Sequence, residues 1–69
     1  MFYRLKTGYV INLMNVSYIT PPDRRGVCMI YLAGEEDGFE ANPFEAEDIV
    51  QLVGEIMREV LEDEDDSSN

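Results

Sequence analysis

The stretch Asn42-Pro43-Phe44-Glu45 constrains the fold of this chain most, because it combines three signals for the start of a helix. Asparagine is a favoured N-cap residue, and proline is favoured at the first helical position. Glutamate three residues after the cap can bond back to the backbone N–H of the cap. Glu47 and Asp48 then place negative charge near the positive end of the helix macrodipole. The sequence therefore predicts a helix from Pro43 to about Leu61.

The predicted helix is apolar over a wide arc, formed by two neighbouring stripes at helical spacing. The stripes consist of Ile49, Val53, Ile56 and Val60, and of Val50, Met57 and Leu61. This arc is wider than one small sheet needs to cover. Gly54 lies mid-helix, where glycine costs about 1 kcal/mol relative to alanine, so close approach of another backbone is a reason for it. We therefore expect the chain to self-associate, with an oligomer interface formed by Ile49, Val53, Gly54, Ile56, Met57 and Val60.

Segments rich in β-forming residues precede the helix. They read FYRLK, then YVINL continuing into VSYIT past a bulge or bend at Met14-Asn15, then VCMIYLA and FEA. VCMIYLA is apolar on both faces, which is typical of a central strand covered by the helix on one side and by a partner on the other. The order predicts an α+β fold, an antiparallel four-stranded β-meander closed by one long C-terminal helix. Residues 1–61 would form a single β-β-β-β-α domain, and residues 62–69 a disordered acidic tail.

Size and residue types narrow the chemistry. A chain of 69 residues rarely gains more than about 3–5 kcal/mol from its core, so it usually needs a disulfide, a bound metal or a partner subunit for stability. One cysteine, Cys28, excludes an intrachain disulfide, and the absence of histidine excludes a zinc site of Cys and His. Cys28 lies in the most apolar run and is interpreted as a core residue. No catalytic or nucleotide-binding motif is present, so we expect no enzyme activity, no metal and no cofactor.

Charge is divided unevenly along the chain. The residues up to Gly34 include four cations and one acid, which give a net charge of +3. From Glu35 onward there are one cation and fourteen acids, which give a net charge of −13. This balance disfavours direct nucleic-acid binding, which needs cations against phosphates. We expect a partner-binding acidic surface at Glu35, Glu36, Asp37, Glu47, Asp48, Glu55 and Glu59, with Glu45 and Glu62 on the same outer helix face. Such carboxylates can imitate a phosphate backbone, or they can simply keep a small protein soluble.

No targeting signal is recognisable at the start of the chain, and the longest apolar run, VCMIYLA, is far shorter than the roughly 20 residues of a membrane span. We therefore expect a cytoplasmic protein that does not associate with a membrane.

The succession RLKTG, VINL, VSYI, a PD-containing turn, VCMIYL and a helix opening near EAEDIV has a recognisable hydrophobic spacing. Over residues 1–53 it resembles the small flagellar proteins of the FlbD or SwrD type. The resemblance implies a flagellar accessory role and brings no catalytic residue with it.

Three functions follow as hypotheses. The first is a non-catalytic, self-associating protein-interaction module that binds a partner protein through apolar and acidic surface. The second is a phage-type acidic nucleic-acid mimic that inhibits a basic nucleic-acid-binding complex. The third is a flagellar accessory protein. Salt separates the first two, because mimicry weakens steeply with ionic strength and apolar docking does not.

Overall fold

In a computed structural model, the described residues form five short strands and one long helix. Their bounds are β1 (Phe2–Arg4), β2 (Val10–Asn12), β3 (Val16–Ile19), β4 (Cys28–Leu32), β5 (Phe39–Ala41) and α1 (Pro43–Ser68). The structure describes residues 1–61 in full and only the backbone of residues 62–68. The prediction of a disordered tail at residues 62–69 lies outside the fully described residues. The α+β class and the single C-terminal helix are as predicted, but the helix extends to Ser68, beyond the predicted end near Leu61.

The strands form two antiparallel sheets, and the single four-stranded meander is not confirmed. β1 pairs with β2 in one sheet, and β4 lies between β3 and β5 in the other. The reason is a 3₁₀ turn at Leu13–Asn15, where the sequence predicted only a bulge or bend within one strand. The side-chain oxygen of Asn12 caps this turn by accepting a hydrogen bond from the N–H of Met14 at 3.0 Å. The turn ends β2 and lets the chain re-enter as β3 of the second sheet.

β4 is the central strand of its sheet, as its two-sided apolar sequence predicts. Ile30 is fully buried on the face that packs into the core, whereas Met29 and Tyr31, which alternate with it, are half-buried. The chain covers part of this second face itself. The ring of Tyr18 stacks on that of Tyr31 with 4.7 Å between centroids. Gly38 lies so close that a Cβ atom there would come within 2.9 Å of the Tyr31 ring.

The core lies between the strands and the first half of α1. Its buried side chains belong to Leu5, Ile11, Leu13, Ile30, Ala41 and Ile49. From Pro43 to Leu61 the helix rises roughly 28 Å, at 1.5 Å per residue. The five residues of β4 extend only about 17 Å. Residues 54–61 of the helix are exposed except for the half-buried Ile56, so the sheets leave the second half of the described helix uncovered.

Across the part of the chain that the structure describes, no helix combines the length and the apolar character needed to cross a membrane.

Candidate protein-interaction surface

The start of α1 has the predicted capping geometry. The N–H of Glu45 donates to Oδ1 of Asn42 at 2.8 Å, and the N–H of Asn42 donates to Oε1 of Glu45 at 3.1 Å. The first intrahelical bond also forms, from the N–H of Ala46 to the carbonyl of Asn42 at 3.0 Å. These bonds satisfy donors that the first turn of a helix otherwise leaves unpaired. The prediction that Asn42 caps the helix is confirmed.

Glu45 is not on the outer acidic face, which corrects the sequence analysis. It is only 6% exposed, and Oε2 accepts a hydrogen bond from the backbone N–H of Lys6 at 2.8 Å. One carboxylate therefore ties the turn after β1 to the start of α1. The arrangement is stable because both carboxylate oxygens of a buried group have backbone donors.

A second contact joins β1 to the helix, about one turn after Glu45. The hydroxyl of Tyr3 donates to Oδ2 of Asp48 at 3.2 Å. Burial raises the pKa of Tyr3, and the negative charge of Asp48 and this hydrogen bond raise that pKa further. Together with the Glu45 bond and the burial of Ile49, this contact holds α1 in one rotation about its axis. The rotation decides which of the two apolar stripes faces the core.

The predicted interface residues are divided by this rotation. Ile49 is fully buried in the core of its own chain, so it cannot contact a second molecule. Val53 and Ile56 are half-buried, with Val53 packed against the core. Gly54, Met57 and Val60 are exposed.

The exposed part of the helix includes a continuous apolar strip, which we call the apolar helix face: Val50, Gly54, Met57 and Leu61. These positions recur at four, three and four residues and therefore lie above one another on α1. Val50 and Leu61 are each 55% exposed and Met57 is 50% exposed, which leaves much apolar surface in water. Sequence reasoning recognised the stripe but did not choose Val50 or Leu61 as interface residues. Periodicity could not show which stripe the core would take.

The apolar helix face continues into a groove between α1 and the edge strand β3. The groove has a volume of about 400 Å³ and is lined by β3 side chains and by Ile49, Val50, Val53 and Gly54. Tyr18, which is 57% exposed, lies on its β3 side. Among residues 1–61, only β3 and α1 line the groove. The helix and the strand edge thus form one apolar surface.

The predicted acidic residues occupy separate surfaces. All seven are exposed: Glu35, Glu36, Asp37, Glu47, Asp48, Glu55 and Glu59. The first three lie in the turn between β4 and β5, where Glu35 and Asp37 line a cleft with Thr7 and Tyr9. No hydrogen bond, ion pair or cleft within residues 1–61 joins this turn to the helical acids.

The helical acids themselves divide between two faces of α1. Asp48, Glu55 and Glu59 recur at seven and four residues and form a strip away from the apolar helix face. Glu47 is seven residues before Gly54 and therefore flanks the apolar helix face. The structure thus leaves an acidic strip and an apolar strip on different sides of one helix.

Arg25, one of the four cations in the first half of the chain, contacts two acidic side chains. In the loop between β3 and β4, Arg25 contacts Asp23 at 3.2 Å and Glu40 at 3.8 Å. The Asp23 carboxylate also accepts hydrogen bonds from the N–H groups of Arg25 and Val27. The bond from Val27 is the main cause that lowers the pKa of Asp23. These contacts are those of an ordered turn.

Cys28 is buried at 2% exposure on the inward face of β4, as the sequence predicts for a core residue. Within the described residues, no three side chains of the Cys, Asp or Glu type are grouped so that they could hold a metal ion.

Comparisons with protein-family models, with curated proteins and with solved structures found no match to this chain. The resemblance to the FlbD or SwrD type therefore stays a prediction from the spacing of residues 1–53.

Proposed function

We propose that this chain is a non-catalytic protein-interaction module that associates with itself through the apolar helix face and presents its acidic faces to a partner protein. The observation that supports this most is the exposure of Val50, Met57 and Leu61 on one strip beside an open groove. Scattered apolar residues are common on protein surfaces, but contiguous strips mark interaction sites.

Energetics support the same proposal. Full burial of a valine, leucine or methionine side chain contributes about 1.5–3 kcal/mol relative to exposure. Since the three side chains of the strip are about half exposed, covering them offers roughly 1 kcal/mol each from either copy. A core of this size supplies about 3–5 kcal/mol, so association would add an amount of the same order.

A second candidate is the acidic nucleic-acid mimic. It is supported by the strip of Asp48, Glu55 and Glu59, which is exposed and directed away from the apolar helix face. Along the helix axis these carboxylates are separated by roughly 10 and 6 Å, at 1.5 Å per residue. A dimer held by the apolar face would present two such strips, so the two functions are compatible. A basic partner would bind faster at low salt, because opposite charge steers the encounter.

The test compares Met57→Glu with Phe44→Glu by sedimentation velocity over a range of concentrations. Both variants replace an exposed apolar residue of α1 by the same acid, but Phe44, at 83% exposure, lies on another side of the helix. We expect Met57→Glu to sediment as a monomer and Phe44→Glu to keep the wild-type oligomer. Equal behaviour of both variants, with circular dichroism showing that both are folded, would remove the apolar helix face from the proposal.

The acidic faces are tested with an immobilised basic DNA-binding protein as probe. The triple variant Asp48→Asn, Glu55→Gln and Glu59→Gln removes the charge of one strip. Loss of binding that fades as salt rises would support mimicry, whereas unchanged binding at low salt would exclude it for this strip.

A further inference from the structure

We propose that the apolar helix face is covered by α1 of a second copy running in the opposite direction, with the two-fold axis passing next to Gly54. This inference rests on the proposed self-association and adds the orientation of the second copy and the position of the two-fold axis. It is carried by the surroundings of Gly54 and by the positions of two charges beside the strip.

Gly54 has no explanation within its own chain. A Cβ atom at this position would have nothing within 4 Å, so no neighbour in the described chain requires the absence of a side chain. Its backbone is not among the glycines with positive φ, so no special turn requires it either. Glycine nevertheless weakens a helix relative to alanine. Close approach of a second backbone over this point accounts for a residue that the monomer does not need.

Gly54 also lies in the middle of the strip. Val50 precedes it by four residues and Met57 follows it by three, with Leu61 seven residues after it. A two-fold axis perpendicular to an antiparallel helix pair places the residue nearest the axis against its own copy. The smallest residue is therefore at the place where two such helices approach most closely, and larger apolar residues lie on either side.

The two charges beside the strip select the antiparallel direction. Glu47 lies seven residues before Gly54 and Arg58 lies four residues after it, so both flank the strip on the same side of the helix. Arg58 is the only cation of the chain after Arg25. In an antiparallel pair centred on Gly54, Arg58 of one copy comes within about one helical turn of Glu47 of the other. In a parallel pair the two-fold axis runs along the helices and puts the flanking residues of the two copies on opposite edges of the interface, so Glu47 and Arg58 would not face each other.

In a symmetric dimer the contact between Glu47 of one copy and Arg58 of the other occurs twice. Each exposed pair contributes little, but reversing one charge converts two attractions into two repulsions. The expected effect of a single reversal is a rise of roughly tenfold in the dimer dissociation constant.

The test measures dimer dissociation constants by sedimentation equilibrium for Glu47→Arg, Arg58→Glu and the double variant. We expect each single reversal to weaken the dimer and the double variant, which has the wild-type net charge, to restore it. Glu47→Arg is the sharper of the two. It lowers the net negative charge of each copy by two, so general repulsion alone predicts a tighter dimer. Glu59→Arg is the matched control, because it makes the same charge change on the acidic strip and should not weaken the dimer.

The outcomes separate this inference from the proposed function. If the wild type is a dimer and the double variant does not regain its affinity, the antiparallel orientation is overturned and self-association stands. A wild-type chain that stays monomeric at every concentration would overturn the self-association itself, and the orientation with it. If a monomeric wild type bound a different protein and lost it in Met57→Glu, the face would be a docking site for that protein and not for a second copy.

Discussion

The Glu45 carboxylate joins two segments that are 39 residues apart, because one of its oxygens accepts from Lys6 in the turn after β1 while the other caps α1. The group is buried, and both bonds go to backbone N–H groups that have no partner in a strand or helix ladder. It fixes the start of the helix against the first hairpin. This contact and the burial of Ile49 together leave the apolar helix face on the outside.

We therefore predict that Glu45→Ala destabilises the fold by about 2 kcal/mol or more, because hydrogen bonds to a charged group are worth about 1.5–3 kcal/mol each. The stability of Glu45→Gln should lie between that of Glu45→Ala and that of the wild type. Its amide keeps one acceptor oxygen, but its NH₂ group would point toward one of the two backbone N–H donors. Urea unfolding followed by circular dichroism measures both. Equal stability of the alanine variant and the wild type would show that the bond to Lys6 contributes nothing.

Asn42→Ala removes the acceptor that the N–H of Glu45 uses, and we predict a loss of about 1 kcal/mol in the free energy of unfolding. Asn42→Ser is the matched control, because serine also accepts at an N-cap and should keep most of the stability. Thermal melts of the two variants provide the comparison. An alanine variant that melts with the wild type would contradict the capping role.

The lowered pKa of Asp23 predicts that the stability of the fold depends on pH. Its pKa is lowered from 3.8 in the folded chain, mainly by the hydrogen bond from the N–H of Val27. A lowered folded pKa means that the charged carboxylate stabilises the fold above the unfolded pKa, and that this contribution is lost as the pH falls through the folded value. The difference in melting temperature between the wild type and Asp23→Asn should therefore be present at neutral pH and shrink as the pH falls below about 4. A constant difference across that range would show that the charge of Asp23 does not stabilise the turn.

The five consecutive acids Glu62 to Asp66 follow the helical apolar pattern directly. Negative charge at the C-terminal end of a helix opposes the macrodipole, and the acids repel one another. We predict that a chain ending at Leu61 is as stable as the full chain or slightly more stable at low salt. Thermal melts at low and high salt test this. An unfolded truncated chain would mean that residues 62–69 pack against the rest of the protein.

The local features of this fold were readable from the sequence because each depends on neighbouring residues. The Asn42 cap is an example, since its partners are within one helical turn. β4 as the central strand followed in the same way from its two apolar faces. The bond from Lys6 to Glu45 was not readable, because no local pattern relates residues that are so far apart in the chain.

The division into two sheets and the choice of the exposed stripe also required the structure. A 3₁₀ turn and a bulge have similar sequence signals, so Leu13–Asn15 could not reveal that β2 and β3 belong to different sheets. Both apolar stripes of α1 have helical periodicity, and only tertiary contacts bury Ile49 while leaving Val50 exposed. For this reason the sequence placed Ile49 in an oligomer interface, whereas it is part of the intramolecular core.

The central claim is that apolar contacts hold copies of this chain together despite a net charge of −10 on each. Sedimentation equilibrium of the wild type at about 0.02 M and about 0.5 M salt tests it most directly, because the Debye length falls severalfold between these conditions. Screening weakens the repulsion between the two acidic chains and leaves apolar burial intact. We predict a dimer that becomes tighter at the higher salt. A chain that remains monomeric in both conditions, or an oligomer that dissociates as salt is added, would contradict the claim.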